Sequence, residues 1–298
     1  MAISISFLHK YAAHTEPLYA LSQFDDNHFI SGGGDKKLIK WKTGNTETAQ
    51  LLASTTATIY FCQLFNNQLI IGDNSGGVYI IDDETKSVLF EINLGRTTFQ
   101  ILTANNCHHV LCADGFLYKL SNKLQPLNSW RLGQSHLRYG TQTSSNKLLI
   151  GTSGGELLVF DLKTEILTNS QKCHADSVFS VYHKNGIVIT GGKDAYLRNW
   201  KMDSSGVLQP INEVPAHLFT VNHIISLGDT GLIATASRDK TIKIWDSETL
   251  LLRKVIDLAK FPEAHSHSVN RLLFNPKTKR LLSAGDDRII REWQLGFD

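Results

Sequence analysis

The chain has 298 residues, 42% hydrophobic and 19% charged, a balance that suits a packed domain and excludes a disordered one. A net charge of +2, a pI near 8.3 and the absence of any Lys/Arg run argue against a nucleic-acid-binding face. No stretch approaches the roughly 20 apolar residues of a bilayer-spanning helix, and the four cysteines (Cys62, Cys107, Cys112, Cys173) lack CxxC spacing, so reduced thiols are expected rather than a disulfide framework.

In chain order, MAISISFLHKYAAH lacks the basic n-region and uninterrupted apolar core of a secretory signal, which points to a reducing, cytoplasmic setting. Its ISISFLHK reads as a strand. Helical signals are nearly absent after it. Short runs rich in Ile, Leu, Val and Thr, such as KLLIGT, GIVITGG, LIATAS and RLLSAG, are bounded by Gly, Asn, Asp and Ser, the pattern of many short strands joined by tight turns.

These strands repeat. In DKTIKIWD, Asp239 stands six residues before Trp245, and the same spacing joins Asp35 to Trp41, Asp194 to Trp200 and Asp287 to Trp293. Three weaker copies end at Ile81, Leu120 and Phe160, so anchors fall at 41, 81, 120, 160, 200, 245 and 293. A period of roughly 40–45 residues with all-β content implies four strands per unit. Each strong copy also carries Ser or Thr four residues before the Asp (Ser31, Thr190, Thr235, Ser283) and an upstream His after a small residue (His14, His174, His217, His265).

These four residue types at fixed offsets resemble the WD-repeat family along essentially the whole chain. The resemblance implies an all-β, seven-bladed β-propeller spanning 1–298 as one domain. It also implies hydrogen-bonded quartets His14–Ser31–Asp35–Trp41, His174–Thr190–Asp194–Trp200, His217–Thr235–Asp239–Trp245 and His265–Ser283–Asp287–Trp293. Only one copy ends in Trp-Asp, at Trp245-Asp246, and the Gly usual before the His is Ala or Cys. In the weak copies Ile71, Val110 and Ile150 occupy the Ser/Thr position and the His is lost: polar members leave together, because a half-satisfied buried network is worse than an apolar one. Asp114 is the exception and is expected in a turn near solvent.

Too few residues follow Trp293 to supply an outer strand, so residues 3–9 are expected to complete the last blade and close the ring. By analogy with the family, the residue after the first apolar position of each inner strand faces the channel mouth, on the face called the top. Round the ring this gives Tyr19, Tyr60, Phe99, Tyr139, Phe179, Asn222 and Asn270, with the register of the third and fourth open by one residue. The residue before each structural Asp flanks them: Gly34, Asn74, Ala113, Ser153, Lys193, Arg238 and Asp286. The aromatic positions could anchor a peptide or hold a cation, or simply plug the channel; Lys193 and Arg238 could pair with an acidic partner or remain solvated.

Cys107-His108-His109, placed in a turn, is the one tight Cys/His cluster, but neighbours on a strand face opposite ways and no second pair has zinc spacing, so no metal is expected. GxSxG, P-loop, GxGxxG and HExxH patterns are missing, so no catalytic residue or cofactor is assigned. The expectation is a non-catalytic scaffold, monomeric by itself, binding a protein or peptide on its top face, without nucleic acid or membrane. A small-ligand or modified-residue binder and a propeller enzyme are the alternatives.

Overall fold

The computed structural model describes residues 2–297. Seven four-stranded antiparallel sheets stand round a central channel, and no helix is present among them. In the first, Leu18–Gln23 lines the channel and His28–Gly33, Lys37–Lys42 and Asn45–Ser54 follow outward. Burial follows from this layering. The second strands pack on both faces, and Lys147–Thr152 and Leu232–Ser237 are buried along their whole length. Outer strands such as Asn45–Ser54 and Pro126–Arg131 are mostly exposed. The inner hairpins of the second and third blades turn through Asn66-Asn67 and Asn105-Asn106, all four at positive φ, a conformation Asn tolerates and a two-residue hairpin requires.

The seventh blade is built from both ends of the described chain. Val269–Asn275, Arg280–Gly285 and Ile290–Phe297 are completed by Ile3–Tyr11, in register from Ile3 opposite Phe297 to Tyr11 opposite Ile290. Ring closure by the N-terminal strand is thus observed, two residues longer than the sequence suggested. Tyr11 also reaches into the first blade: its ring meets Phe29 and Trp41 edge-on at 5.1 and 5.6 Å, and its hydroxyl accepts the Gly44 N–H at 2.8 Å. That hydroxyl donates to Glu292, whose fully buried carboxylate also accepts from Arg280 at 2.7 Å. The closing strand therefore binds blade seven to blade one by apolar packing and by a satisfied buried charge.

Adjacent blades approach closely where the second strand offers a small residue. A methyl on Gly32 would lie 2.6 Å from Ile59, and one on Gly191 2.7 Å from Val221. Ile59, Thr98, Val178 and Val221, the first residues of the following inner strands, occupy these gaps, so the glycines at Gly32, Gly72, Gly151 and Gly191 are packing requirements rather than turn signals.

Candidate interaction face of the propeller

The four quartets hold the top loops in place. In blade six the Trp245 indole N–H donates to Thr235 Oγ1 at 2.9 Å, the Thr235 hydroxyl lies 2.7 Å from His217 Nε2, and His217 Nδ1 lies 2.9 Å from Asp239. Since the carboxylate can only accept, Nδ1 carries the proton and Nε2 accepts from Thr235, which satisfies every group with a neutral imidazole. Burial pushes the His217 pKa down, against the pull of Asp239, in the direction that arrangement needs. The same contacts join His14, Ser31, Asp35 and Trp41 (2.8–3.0 Å), His174, Thr190, Asp194 and Trp200 (2.8–3.0 Å), and His265, Ser283, Asp287 and Trp293 (2.9–3.1 Å).

Sequence reasoning missed a further position, two residues before the anchor. Arg198 and Arg291 reach Asp194 and Asp287 from it, each at 2.8 Å. Burial would raise the Asp287 carboxyl, but His265 and Arg291 outweigh it and hold the pKa at about 2. In the second and third blades a tyrosine takes this place. Tyr79 donates to Asp73 at 3.1 Å and Tyr118 to Asp114 at 2.8 Å. Asp114 lies in a turn, as expected, but is paired and mostly shielded rather than solvated. The recurrence of Arg or Tyr two residues before the anchor was the available signal. Asp73, fully buried and accepting from Ser75 and Gly77, replaces the lost quartet in the second blade.

The mouth is shaped by one device repeated seven times. Every inner strand skips register after its first residue: between Leu18 and Ala20, Ile59 and Phe61, Thr98 and Gln100, Leu137 and Tyr139, Val178 and Ser180, Val221 and His223, and Val269 and Arg271. A bulge leaves the extra residue unpaired and re-aims its side chain. The bulged residues are Tyr19, Tyr60, Phe99, Arg138, Phe179, Asn222 and Asn270, and with Arg271 they line one cavity of about 210 Å³. Six stand where the sequence put them. The blade-four member is corrected by one residue: Leu137, not Arg138, is the buried apolar residue that starts the strand, so Arg138 is at the mouth. Tyr139 lies one layer down, bonded to His223 Nε2 at 3.1 Å, in a second cavity of about 120 Å³ that it shares with Arg271.

The rings pack on one another, Tyr19 on Tyr60 at 5.3 Å and Tyr60 on Phe99 at 6.0 Å. The Arg138 guanidinium lies 4.8 Å from the Phe99 centroid and 5.1 Å from that of Phe179. The cation on these faces is therefore the chain's own. Asn222 and Asn270 spend their amide donors across blade boundaries, on Val269 and Leu18 carbonyls at 2.9 and 3.0 Å.

The flanking residues ring the mouth through seven equivalent backbone bonds. The N–H of Gly34, Asn74, Ala113, Ser153, Lys193, Arg238 and Asp286 donates, in that order, to Pro17, Thr58, Thr97, His136, Ser177, Thr220 and Ser268 at 2.8–3.1 Å. Lys193 is paired with Asp176 at 2.9 Å in an exposed bridge, and Arg238 is exposed. Beside Arg238 the loop after His217 projects Leu218 and Phe219, 82% and 58% exposed, which the sequence reading passed over. The other exposed large hydrophobics among the described residues lie on or beside outer strands.

Cys107-His108-His109 is not a turn but the start of the strand Cys107–Cys112, with both histidines buried. Burial, with Lys119 nearby, pushes His109 down to about 4. No group of three or more His, Cys, Asp or Glu is arranged to hold a metal among the described residues, and no helix is long and apolar enough to cross a membrane.

Residues 5–42, 208–246 and 257–294 match the family model described as WD domain, G-beta repeat, and contain three of the four quartets; the blade-five quartet lies outside them. The chain is similar to mouse transducin beta-like protein 3, 23% identical over 95% of this chain and 40% of that protein. It is also similar to nuclear distribution protein PAC1 of Coccidioides posadasii, 27% identical over 52% of this chain and 36% of that protein, and to PAC1 of Tuber melanosporum, 44% identical over 22% of this chain. The chain thus spans about 40% or less of the length of these curated relatives. The chain thus folds as a seven-bladed β-propeller and carries WD repeats in three places.

Proposed function

We propose that this propeller is a non-catalytic platform that binds a protein or peptide across its top face, acting in the cytoplasm and without direct contact with nucleic acid or membrane. WD-repeat propellers are in general protein-interaction scaffolds, and the finer assignment to the top rests on one observation: Leu218 and Phe219 expose apolar surface on a top loop next to the recessed mouth. Large rings and aliphatic chains beside a concave, partly charged cavity supply the anchors from which interfaces draw most of their energy. The seven-fold bonds beneath the loops keep that surface stiff, so little ordering entropy is lost on binding. A second reading, a small-ligand or modified-residue site, draws on the four aromatic rings of the mouth; Arg138 already covers two of them, which favours the platform.

The test is quantitative capture with the intact chain and two surface variants, Leu218→Asp combined with Phe219→Ser on the top, and Leu127→Asp on an outer strand. Proteins captured by wild type are expected to be lost with the top variant and kept with the rim variant. The reverse would place the binding surface on the rim and refute the proposal.

A further inference from the structure

Neither guanidinium of the mouth forms an ion pair among the described residues. Arg138 stacks between Phe99 and Phe179 with its Nε buried and without a hydrogen-bond partner. Arg271, with Tyr60 and Phe99, lines both cavities, and its Nε donates to the Tyr19 carbonyl at 2.7 Å. Among the described residues no carboxylate lies within 4.0 Å of either group, whereas Arg198, Arg253, Arg280 and Arg291 are paired with acids at 2.7–3.0 Å. Asp286, at the rim, is tied to Asn270 at 2.6 Å instead. The polar pair below supplies no charge either. His223 Nδ1 accepts the Leu272 N–H at 3.1 Å, so Nε2 carries the proton towards Tyr139, and burial and Arg271 keep that ring neutral.

Arginine stays protonated in proteins, so partly withdrawing two such groups from water without a carboxylate in contact is unfavourable. The cation-accepting ring faces are occupied from within by Arg138, and a second cation entering the cavity would meet two like charges. From this we infer that the mouth is an oxyanion socket, in which an acidic side chain of a bound peptide, a carboxylate or a phosphoryl group, is held by Arg138 and Arg271 while the peptide's flanking residues lie over the aromatic rim. A planar guanidinium offers the forked donors that either oxyanion accepts. This inference rests on the top-face reading and specifies its ligand.

The probes are three Gly/Ser octapeptides with a central glutamate, phosphoserine or glutamine, titrated into the ¹⁵N-labelled full chain while the arginine Nε–H resonances are followed, with Arg138→Gln and Arg271→Lys assigning the two signals. The glutamate or phosphoserine peptide is expected to shift the Arg138 and Arg271 signals saturably, to bind at least about tenfold more weakly to Arg138→Gln, the scale of one lost charge-assisted bond, and to weaken as salt is raised. The stronger of the two identifies the anion. Arg138 makes no side-chain hydrogen bond among the described residues, so Arg138→Gln tests the idea even if Arg271→Lys fails to fold. Equal binding of the glutamine peptide, or shifts confined to signals away from the mouth, overturns it. If the socket fails and the platform stands, the top variant still loses captured proteins; if the platform fails, that contrast vanishes while the arginine shifts remain.

Discussion

Substituting Thr235→Val removes one oxygen and almost no volume, yet this oxygen is the hub of the blade-six quartet. It accepts the Trp245 indole N–H at 2.9 Å and donates to His217 Nε2 at 2.7 Å, and all three side chains are buried. Valine leaves both partners buried and unsatisfied, at about 1–3 kcal/mol for each orphaned group, so a loss of about 3 kcal/mol is expected. For a chain of 298 residues the unfolding entropy is about 0.6 kcal/mol per kelvin, so the midpoint should fall by about 5 °C. Trp245→Phe alone should cost about 2 kcal/mol through lost volume and the lost bond. The double variant removes the donor together with its acceptor, and should be less destabilised than the sum by about 1–2 kcal/mol. Blade four already carries the apolar solution, with Ile150 and Phe160 at the two positions, both buried. Urea denaturation of the two single variants and the double variant measures the coupling. If the costs add to within about 0.5 kcal/mol, the quartet is not a network, and the explanation for its all-or-none loss in the weak blades fails with it.

Removing residues 1–11 should leave the strand Ile290–Phe297 as an open edge and yield soluble aggregates on size exclusion, with a synthetic peptide of residues 2–12 restoring the monomer; a monomeric truncation with an unchanged melting midpoint would contradict ring closure. Gly191→Ala should overpack the seam between blades five and six by about 1–3 kcal/mol, because its methyl would lie 2.7 Å from Val221, and Val221→Ala in the same chain should recover part of that loss in urea midpoint. The His109 pKa is pushed below its unfolded value of about 6.5, so the unfolded state takes up the proton first, and the stability present above pH 6.5 is lost as pH falls toward 4. Between pH 7 and 5 this one group costs about 2 kcal/mol; His109→Gln should flatten the pH dependence of the urea midpoint by that amount, and an unaltered slope would show that His109 titrates normally.

The architecture was legible because its signal is repeated: an error in one blade is corrected by the others, and the quartets fix register wherever they occur. Blade four shows what happens without one. It has no His and no hydroxyl at Ile150, so counting forward to Tyr139 slipped by a single residue, and a slip of one in a strand moves a side chain to another face. The apolar alternation around Leu137 was in principle readable, but Leu137-Arg138-Tyr139-Gly140 offers two large residues that could each sit at the bulge. Leu218 and Phe219 escaped for the opposite reason: they lie in a loop, where no period applies, and only their exposure in three dimensions distinguishes them. Tyr11 lay beyond the strand expected at residues 3–9, and its contacts with Phe29, Trp41 and Glu292 depend on how the first blade is placed.

The bulge that caused the misreading also separates folding from recognition. Because the residue after the skip has no opposite number in the ladder, its side chain leaves the packing of the blade and projects into the mouth, so the ring can carry tyrosine, phenylalanine, arginine or asparagine with the same backbone. Blade stability therefore does not dictate what stands there. Two of the positions explain themselves structurally, since Asn222 and Asn270 clamp neighbouring strands through their amides. Arg138 does not: among the described residues it satisfies no carbonyl and pairs with no acid, and its Nε is buried without a hydrogen-bond partner. A leucine at the same bulge would fill the space between Phe99 and Phe179 without desolvating a charge, so a guanidinium there contributes less to stability than an apolar chain would, and its chemistry is directed at whatever enters the channel.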